Sequence, residues 1–206
     1  MMNEFWNEFV TEKSFEKLVE LSKKYKFIVI GGWAAYLLTG LHKSKDIDLV
    51  VDYDTLFNMK KEYAINKNDR LKKYEIKFGE FDVDLYLPAF SRLMLPIKVI
   101  AENAIRIKGL TSPKPEALVI LKQGAEIDRR NTIKGRKDMI DIITILVLSN
   151  FDIGFYRKLL KNEKLEHLEH ELVSIVKRFD LKDLKYLGMN VKEFSEWKKK
   201  FLLALR

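Results

Sequence analysis

The run DIDLVVD, residues 46–52, constrains this chain more than any other stretch. Side chains alternate faces along a strand, so Asp46 and Asp48 project from one side, about 7 Å apart. Ile47, Leu49 and Val51 project from the other side, which must be the core side. Just upstream, KFIVIGG reads as a short buried strand ending in a Gly31-Gly32 turn, and WAAYLLTG as a helix stopped by Gly40. A strand, a glycine turn, a helix and an acid-bearing strand therefore follow one another within 27 residues, from Lys26 to Asp52. Two neighbouring carboxylates repel and raise each other's pKa, and a divalent cation relieves that cost. Mg²⁺ suits such a pair, because it takes octahedral oxygen coordination from a few carboxylates, water and phosphates.

The pattern repeats at FDVDLYLP, where Asp82 and Asp84 share one face and Phe81, Val83, Leu85 and Leu87 the other. If this strand lies beside the first, a third carboxylate completes a site for two ions, one activating a hydroxyl and one holding a triphosphate and its leaving pyrophosphate. Gly31 and Gly32 allow backbone to approach a ligand closely, and the helix after them offers free N–H groups and a positive dipole end to phosphate.

Composition narrows the chemistry further. The chain has 206 residues, 47% of them hydrophobic and 33% charged, enough to bury a sizeable core and too apolar for long disorder. It has no cysteine, which excludes disulfides, thiolate zinc sites and cysteine nucleophiles. Three histidines (His42, His167 and His170) make a histidine-built metal site a poor expectation, so any metal is expected on oxygen ligands, Mg²⁺ or Mn²⁺ foremost. The net charge of +8 favours polyanionic partners such as nucleic acid, nucleotides or phosphorylated substrates. No apolar run approaches a membrane span, and the acidic opening MMNEFWNEFVTEKSFEK lacks a cationic-then-apolar signal pattern, so no membrane partner and a cytoplasmic location are expected.

Along the chain, SFEKLVELSKKY predicts a first helix capped by Ser14. TLFNMKKEYA reads as a helix, LKKYEIKFG and FDVDLYLP as two strands joined at Gly79-Glu80, and NAIRIKGLTS as one more strand. From residue 113 the pattern becomes helical: KPEALVILKQGAEI is a helix, DRRNTIKGRK a basic loop, and DMIDIITILVL a helix apolar nearly all round. The fold expected is α+β, with a catalytic αβ domain over residues 1–112 carrying a mixed sheet flanked by helices, followed by a helical domain over 113–206 packed on it.

GGWAAYLLTG…KSKDIDLVVD followed by DVDLYLP resembles the nucleotidyltransferase superfamily that shares the DNA polymerase β catalytic fold. The GGWA opening is similar to lincosamide-type antibiotic nucleotidyltransferases. SPKPEALVILKQGAEIDRRNTIKGRKDMIDIITIL is similar to the Pro-Glu…Lys…Arg…Lys-Asp-x-x-Asp run of AbiEii/MenA-like toxin nucleotidyltransferases. The resemblance spans about residues 27–148; the last third resembles nothing nameable. It implies that Gly31 and Gly32 bind the triphosphate, that Ser44 touches phosphate, that Asp46 and Asp48 ligate Mg²⁺, and that Asp84 ligates the acceptor-side metal. Asp82 stands open as the alternative to Asp84. It further implies that Lys122 contacts nucleotide phosphates or the leaving group, with Asp138 and Asp141 orienting that lysine or the acceptor. The activity implied is transfer of a nucleoside monophosphate from NTP, ATP among them, to an acceptor hydroxyl. RNA, such as a tRNA end, is the first acceptor, with a toxin paired to an antitoxin protein as the setting. A small-molecule acceptor of the antibiotic type and a non-catalytic nucleotide-binding or antitoxin-like module are the alternatives.

Other residues carry plainer expectations. Trp33, beside Ala34 and Ala35, reads as packing between helix and sheet; Tyr86 shares the face of Asp82 and Asp84 and serves either site or packing. His42 reads as an exposed loop residue, and His167 and His170 as a solvated helix face. Arg129, Arg130, Lys134, Arg136 and Lys137 read first as a solvated connector.

Overall fold

The computed structural model describes residues 8–205; Met1 to Asn7, part of the opening that enters the signal-sequence reading, lie outside them, as does Arg206. The chain divides into two compact units, with the boundary between Lys114 and Pro115.

The first unit is built on a mixed five-stranded sheet of order β1-β2-β5-β4-β3. Its strands are β1 (Ile28–Ile30), β2 (Ile47–Val50), β3 (Asn66–Asn68), β4 (Lys73–Lys77) and β5 (Asp82–Tyr86). β2 and β5 run parallel at the centre, and the other neighbours are antiparallel. The alternation expected of the two acidic strands is met: Ile47, Leu49, Val83 and Leu85 are fully buried on one face. Stripping water from these aliphatic side chains stabilises the sheet by roughly 1.5–3 kcal/mol each. Helix α1 (Glu8–Lys24) precedes β1, α2 (Gly31–Thr39) follows it, and α3 (Tyr53–Met59) follows β2. Gly40 ends α2 in the left-handed conformation, φ 75°, its N–H donating to the Tyr36 carbonyl.

Several boundaries differ from expectation. Ser14 is not a cap: it lies inside α1, fully buried, and its hydroxyl accepts the Trp33 indole N–H at 3.0 Å. The buried indole needs an acceptor, and Ser14 supplies one. Trp33 itself is fully buried against Phe15 and Tyr36, the packing role expected of it. NAIRIKGLTS forms a hairpin rather than a single strand. β6 (Ala104–Ile107) pairs antiparallel with β7 (Leu110–Pro113) across Lys108 and Gly109, which have φ of 49° and 84°. Two successive left-handed residues match the right-handed twist of a two-residue hairpin. α4 (Ile97–Glu102) and β3 had no sequence signal strong enough to place them.

The second unit is helical throughout its described residues: α5 (Pro115–Arg129), α6 (Ile133–Leu148), α7 (Ile153–Glu163), α8 (His167–Arg178), a 3-10 turn (Leu181–Tyr186) and α9 (Val191–Ala204). The basic loop expected over residues 128–137 is mostly helix. α5 runs on to Arg129, and α6 starts at Ile133 with Thr132 as its cap, accepting from the Gly135 N–H. Gly135 makes this corner feasible, because a Cβ there would lie 2.2 Å from the Arg129 carbonyl oxygen. The corner is solvated from Asn131 to Lys134, but its arginines are paired. Arg129 donates to Asp138 and Arg130 to Glu126, and Arg136 forms a bidentate pair with the fully buried Asp183. His167 and His170 are exposed on α8. No described helix is long and apolar enough to cross a membrane.

Candidate active site

The parallel register of β2 and β5 sets Asp48 directly opposite Asp84. The antiparallel register of β1 and β2 sets Ile30 opposite Asp48, so the chain enters α2 beside that carboxylate. Gly31 has φ +67°, and a Cβ on it would fall 2.1 Å from Asp48 Oδ2. Only glycine adopts that conformation cheaply and leaves space for the carboxylate. Gly32, the next residue, is buried in the first turn of α2. The glycine pair and the acidic strand are thus one feature, with backbone and carboxylate in direct contact.

Each carboxylate is held by protein donors. Asp46, just before β2, accepts the Asp82 backbone N–H at 3.3 Å. Asp48 accepts the Tyr86 hydroxyl at 3.2 Å, so Tyr86 faces the site and supports its acids. Lys73, on β4, places its ammonium 2.6 Å from Asp84 Oδ2 and 2.9 Å from Glu75 Oε1. The other Asp84 oxygen, Oδ1, is buried and has no hydrogen-bond partner. Burial pushes the Asp84 pKa up, and the Glu75 and Asp46 charges push the same way, against the pull of Lys73. Lys73 answers inversely: burial pulls its pKa down, yet its bonds to Asp84 and Glu75 hold it above the ordinary value. Asp82, by contrast, is tied to Lys77 at 2.7 Å near the strand entrance.

Both acids left open on β5 have a lysine partner, but Asp84 lies opposite Asp48 and carries an unsatisfied buried oxygen, whereas Asp82 is half-buried at the start of the strand. Ser44 is buried, 5% exposed, in the loop before β2. His42, expected to be exposed, is half-buried in the same loop with φ 65°. Among the described residues, no group of three or more His, Cys, Asp or Glu side chains is arranged to hold a metal ion. The side chains therefore stop short of the three-carboxylate convergence expected from sequence, because each acid has turned to a donor of its own. The donor chemistry nonetheless fits a hard divalent cation: all-oxygen ligands, two acids in register on adjacent strands, and a buried carboxylate oxygen lacking a partner.

Lys122, Asp138 and Asp141 come together in the second unit. The Lys122 ammonium lies 3.1 Å from Asp138 Oδ1 and 2.6 Å from Asp141 Oδ2, with all three residues buried. Burial would lower the Lys122 pKa, but its two carboxylates hold it well above the ordinary lysine value. Arg129 adds a second cation to Asp138 at 2.6 Å. Two cations meet two carboxylates here, the charge balance a buried ion cluster requires, while Asp141 Oδ1 is buried without a hydrogen-bond partner.

Sequence reasoning overlooked Lys73 and Glu75. Their signal was the strand KYEIK, which puts Lys73, Glu75 and Lys77 on one face by the same alternation that sets the aspartates on one face of their strands.

No family model and no curated protein matches the chain. Solved structures do. An H. pylori protein assigned as a nucleotidyltransferase superimposes with a TM-score of 0.52 at 18% identity, over 98% of this chain and 99% of that one. JHP933 from Helicobacter pylori superimposes with a TM-score of 0.50 at 17% identity, over 97% and 92%. ANT(2")-Ia, solved with adenylyl-2"-tobramycin, gives 0.45 at 13% identity, over 84% of this chain and all of that one. The chain has an α+β fold of the nucleotidyltransferase-like kind.

Proposed function

We propose that this protein is a nucleotidyltransferase that moves a nucleoside monophosphate from an NTP to an acceptor hydroxyl on RNA. The observation that carries the reading is the opposition of Asp48 and Asp84 on adjacent parallel strands, with Gly31 backbone pressed against Asp48. In this reading Asp46, Asp48 and Asp84 hold Mg²⁺, which when bound neutralises the triphosphate and lowers the pKa of a coordinated hydroxyl. Gly31 and Gly32 present backbone N–H groups at the start of α2 to the phosphates, with Ser44 close in sequence on the loop before β2. Tyr86 fixes the Asp48 carboxylate, and Lys73 fixes that of Asp84, whose buried Oδ1 has no hydrogen-bond partner. Lys122 ties α5 to α6 through Asp138 and Asp141 within the second unit. The surplus of positive charge supports a polyanionic acceptor. The AbiEii/MenA-like run supports a toxin partnered by an antitoxin as the setting.

Incubation with each α-³²P-NTP, Mg²⁺ and total cellular RNA tests the reading by gel analysis. Labelled RNA is expected with the native chain and none with Asp48→Asn or Asp84→Asn. Transfer at the native rate by both variants defeats it.

A further inference from the structure

Away from the carboxylates, the first unit gathers aromatic rings and lysines at its surface in an arrangement the transfer chemistry does not use. Tyr53 and Phe57 lie one turn apart on α3, 53% and 64% exposed, and so share a face. The Tyr53 hydroxyl donates to the Pro88 carbonyl at 3.0 Å, which ties α3 to the loop after β5. That loop carries Phe90, whose ring lies 5.3 Å from Tyr74 of β4. The rings therefore sit on a braced platform rather than on mobile tips.

Lysines stand over these rings. Lys60 lies 5.3 Å from the Tyr74 centroid and Lys61 4.7 Å from that of Phe57, while Lys67 and Lys72 lie 4.9 and 5.5 Å from that of Phe90. The contrast with the second unit is chemical. There Arg129, Arg130, Arg136 and Arg178 are paired with buried carboxylates. Here only Lys67 among the four is bridged to an acid, the exposed Asp69. Cations held beside flat apolar faces are what a strand with unpaired bases and a phosphate backbone meets best: bases stack on rings and phosphates draw the ammonium groups. A duplex hides its base faces, and an acidic peptide has none to stack.

We infer that the α3, β3–β4 and post-β5 surface of the first unit, centred on Tyr53, Phe57, Tyr74 and Phe90, docks single-stranded RNA. It deepens the transferase reading, since α3 and the Phe90 loop extend from the strands that carry Asp48 and Asp84, and a strand held there is an acceptor retained beside its enzyme.

The test is fluorescence anisotropy of a labelled, unstructured 12-nucleotide RNA with the full chain and no NTP. Phe57→Ala, on an exposed ring, is expected to weaken binding roughly tenfold, the usual loss of one stacked base. The double variant Lys60→Ala/Lys61→Ala is expected to weaken it and to flatten its salt dependence. Lys199→Ala/Lys200→Ala removes equal charge from the exposed face of α9 and is expected to leave binding intact, and circular dichroism checks that every variant is folded. Equal losses in the α9 pair, unchanged affinity in Phe57→Ala, or equal competition by polyglutamate or duplex RNA overturns the inference. Asp48→Asn separates the two readings, because it is expected to keep native RNA affinity while transfer is lost. Tight, patch-dependent binding without any transfer by the native chain leaves the docking surface standing and removes the enzyme. Transfer by a chain whose RNA affinity ignores the patch does the reverse.

Discussion

Lys73 Nζ sits 2.6 Å from Asp84 Oδ2, so the buried acid on the central strand has its counter-ion on the neighbouring strand, built into the sheet. The same ammonium serves Glu75, and all three side chains are largely shielded from water. Shielding makes the lysine matter more than a surface pair would, since exposed pairs contribute only 0–1 kcal/mol as a rule.

Lys73→Met is therefore expected to destabilise the first unit by about 2 kcal/mol, by stranding two partly buried carboxylates. In an Asp84→Asn background the cost should fall by about half, because one of the two charges is gone. Urea denaturation of the four members of the double-mutant cycle reads this coupling. Additive costs would show that the two groups do not interact in solution.

Gly31→Ala should be costly twice over. It places a side chain at φ +67° and drives a Cβ to 2.1 Å from Asp48 Oδ2. Strain of that kind costs roughly 1–3 kcal/mol. Thermal unfolding should show a lower midpoint for Gly31→Ala, partly restored by adding Asp48→Ala, which removes the clashing oxygen. A midpoint equal to the native one means that the backbone does not approach the carboxylate as described.

The second unit should show an acid-labile stability. Burial raises the Asp138 pKa, but Lys122 and Arg129 together outweigh it and hold the carboxyl below its ordinary 3.8. A group depressed in the folded state contributes stability above its unfolded pKa and loses it as pH falls through the folded value. Native stability should therefore fall more steeply below about pH 4 than that of Asp138→Asn. Urea midpoints at pH 7, 5, 4 and 3 measure it, and parallel curves would refute the pairing. Lys122→Met leaves two buried acids opposed and should cost about 3–5 kcal/mol.

Trp33 and Ser14 offer a simpler cycle. Ser14→Ala removes the acceptor of a buried indole N–H and should cost about 1–2 kcal/mol. Trp33→Phe removes the donor, so adding Ser14→Ala to it should cost little more. Chemical denaturation at pH 7 distinguishes this coupling from additivity.

The facing of the two acidic strands was legible in the residues because a strand has a period of two. Once DIDLVVD and FDVDLYLP are strands, the acids must share a face and the aliphatics the other, whatever the rest of the chain does. Gly31 was legible for a related reason, since Gly-Gly after an apolar strand permits a turn that other residues resist. The helical second unit followed from its 3.6-residue periodicity.

Boundaries and partners were not legible, because they depend on groups far apart in sequence. Ser14 looks like a cap locally and becomes an indole acceptor only when Trp33, 19 residues on, packs over it. Which of Asp82 and Asp84 lies opposite Asp48 depends on the parallel register, and register is decided by the whole sheet. Lys73 and Asp84 are 11 residues apart and meet only across an antiparallel ladder. The basic run from Arg129 to Lys137 reads as solvent-facing until folding brings Asp138 to Arg129 and Asp183 to Arg136. Local geometry follows from the chain itself, as steric and periodic rules act over a few residues. Which charges find each other follows only from the assembled fold, as Coulomb attraction depends on distance in space and on the water that burial removes.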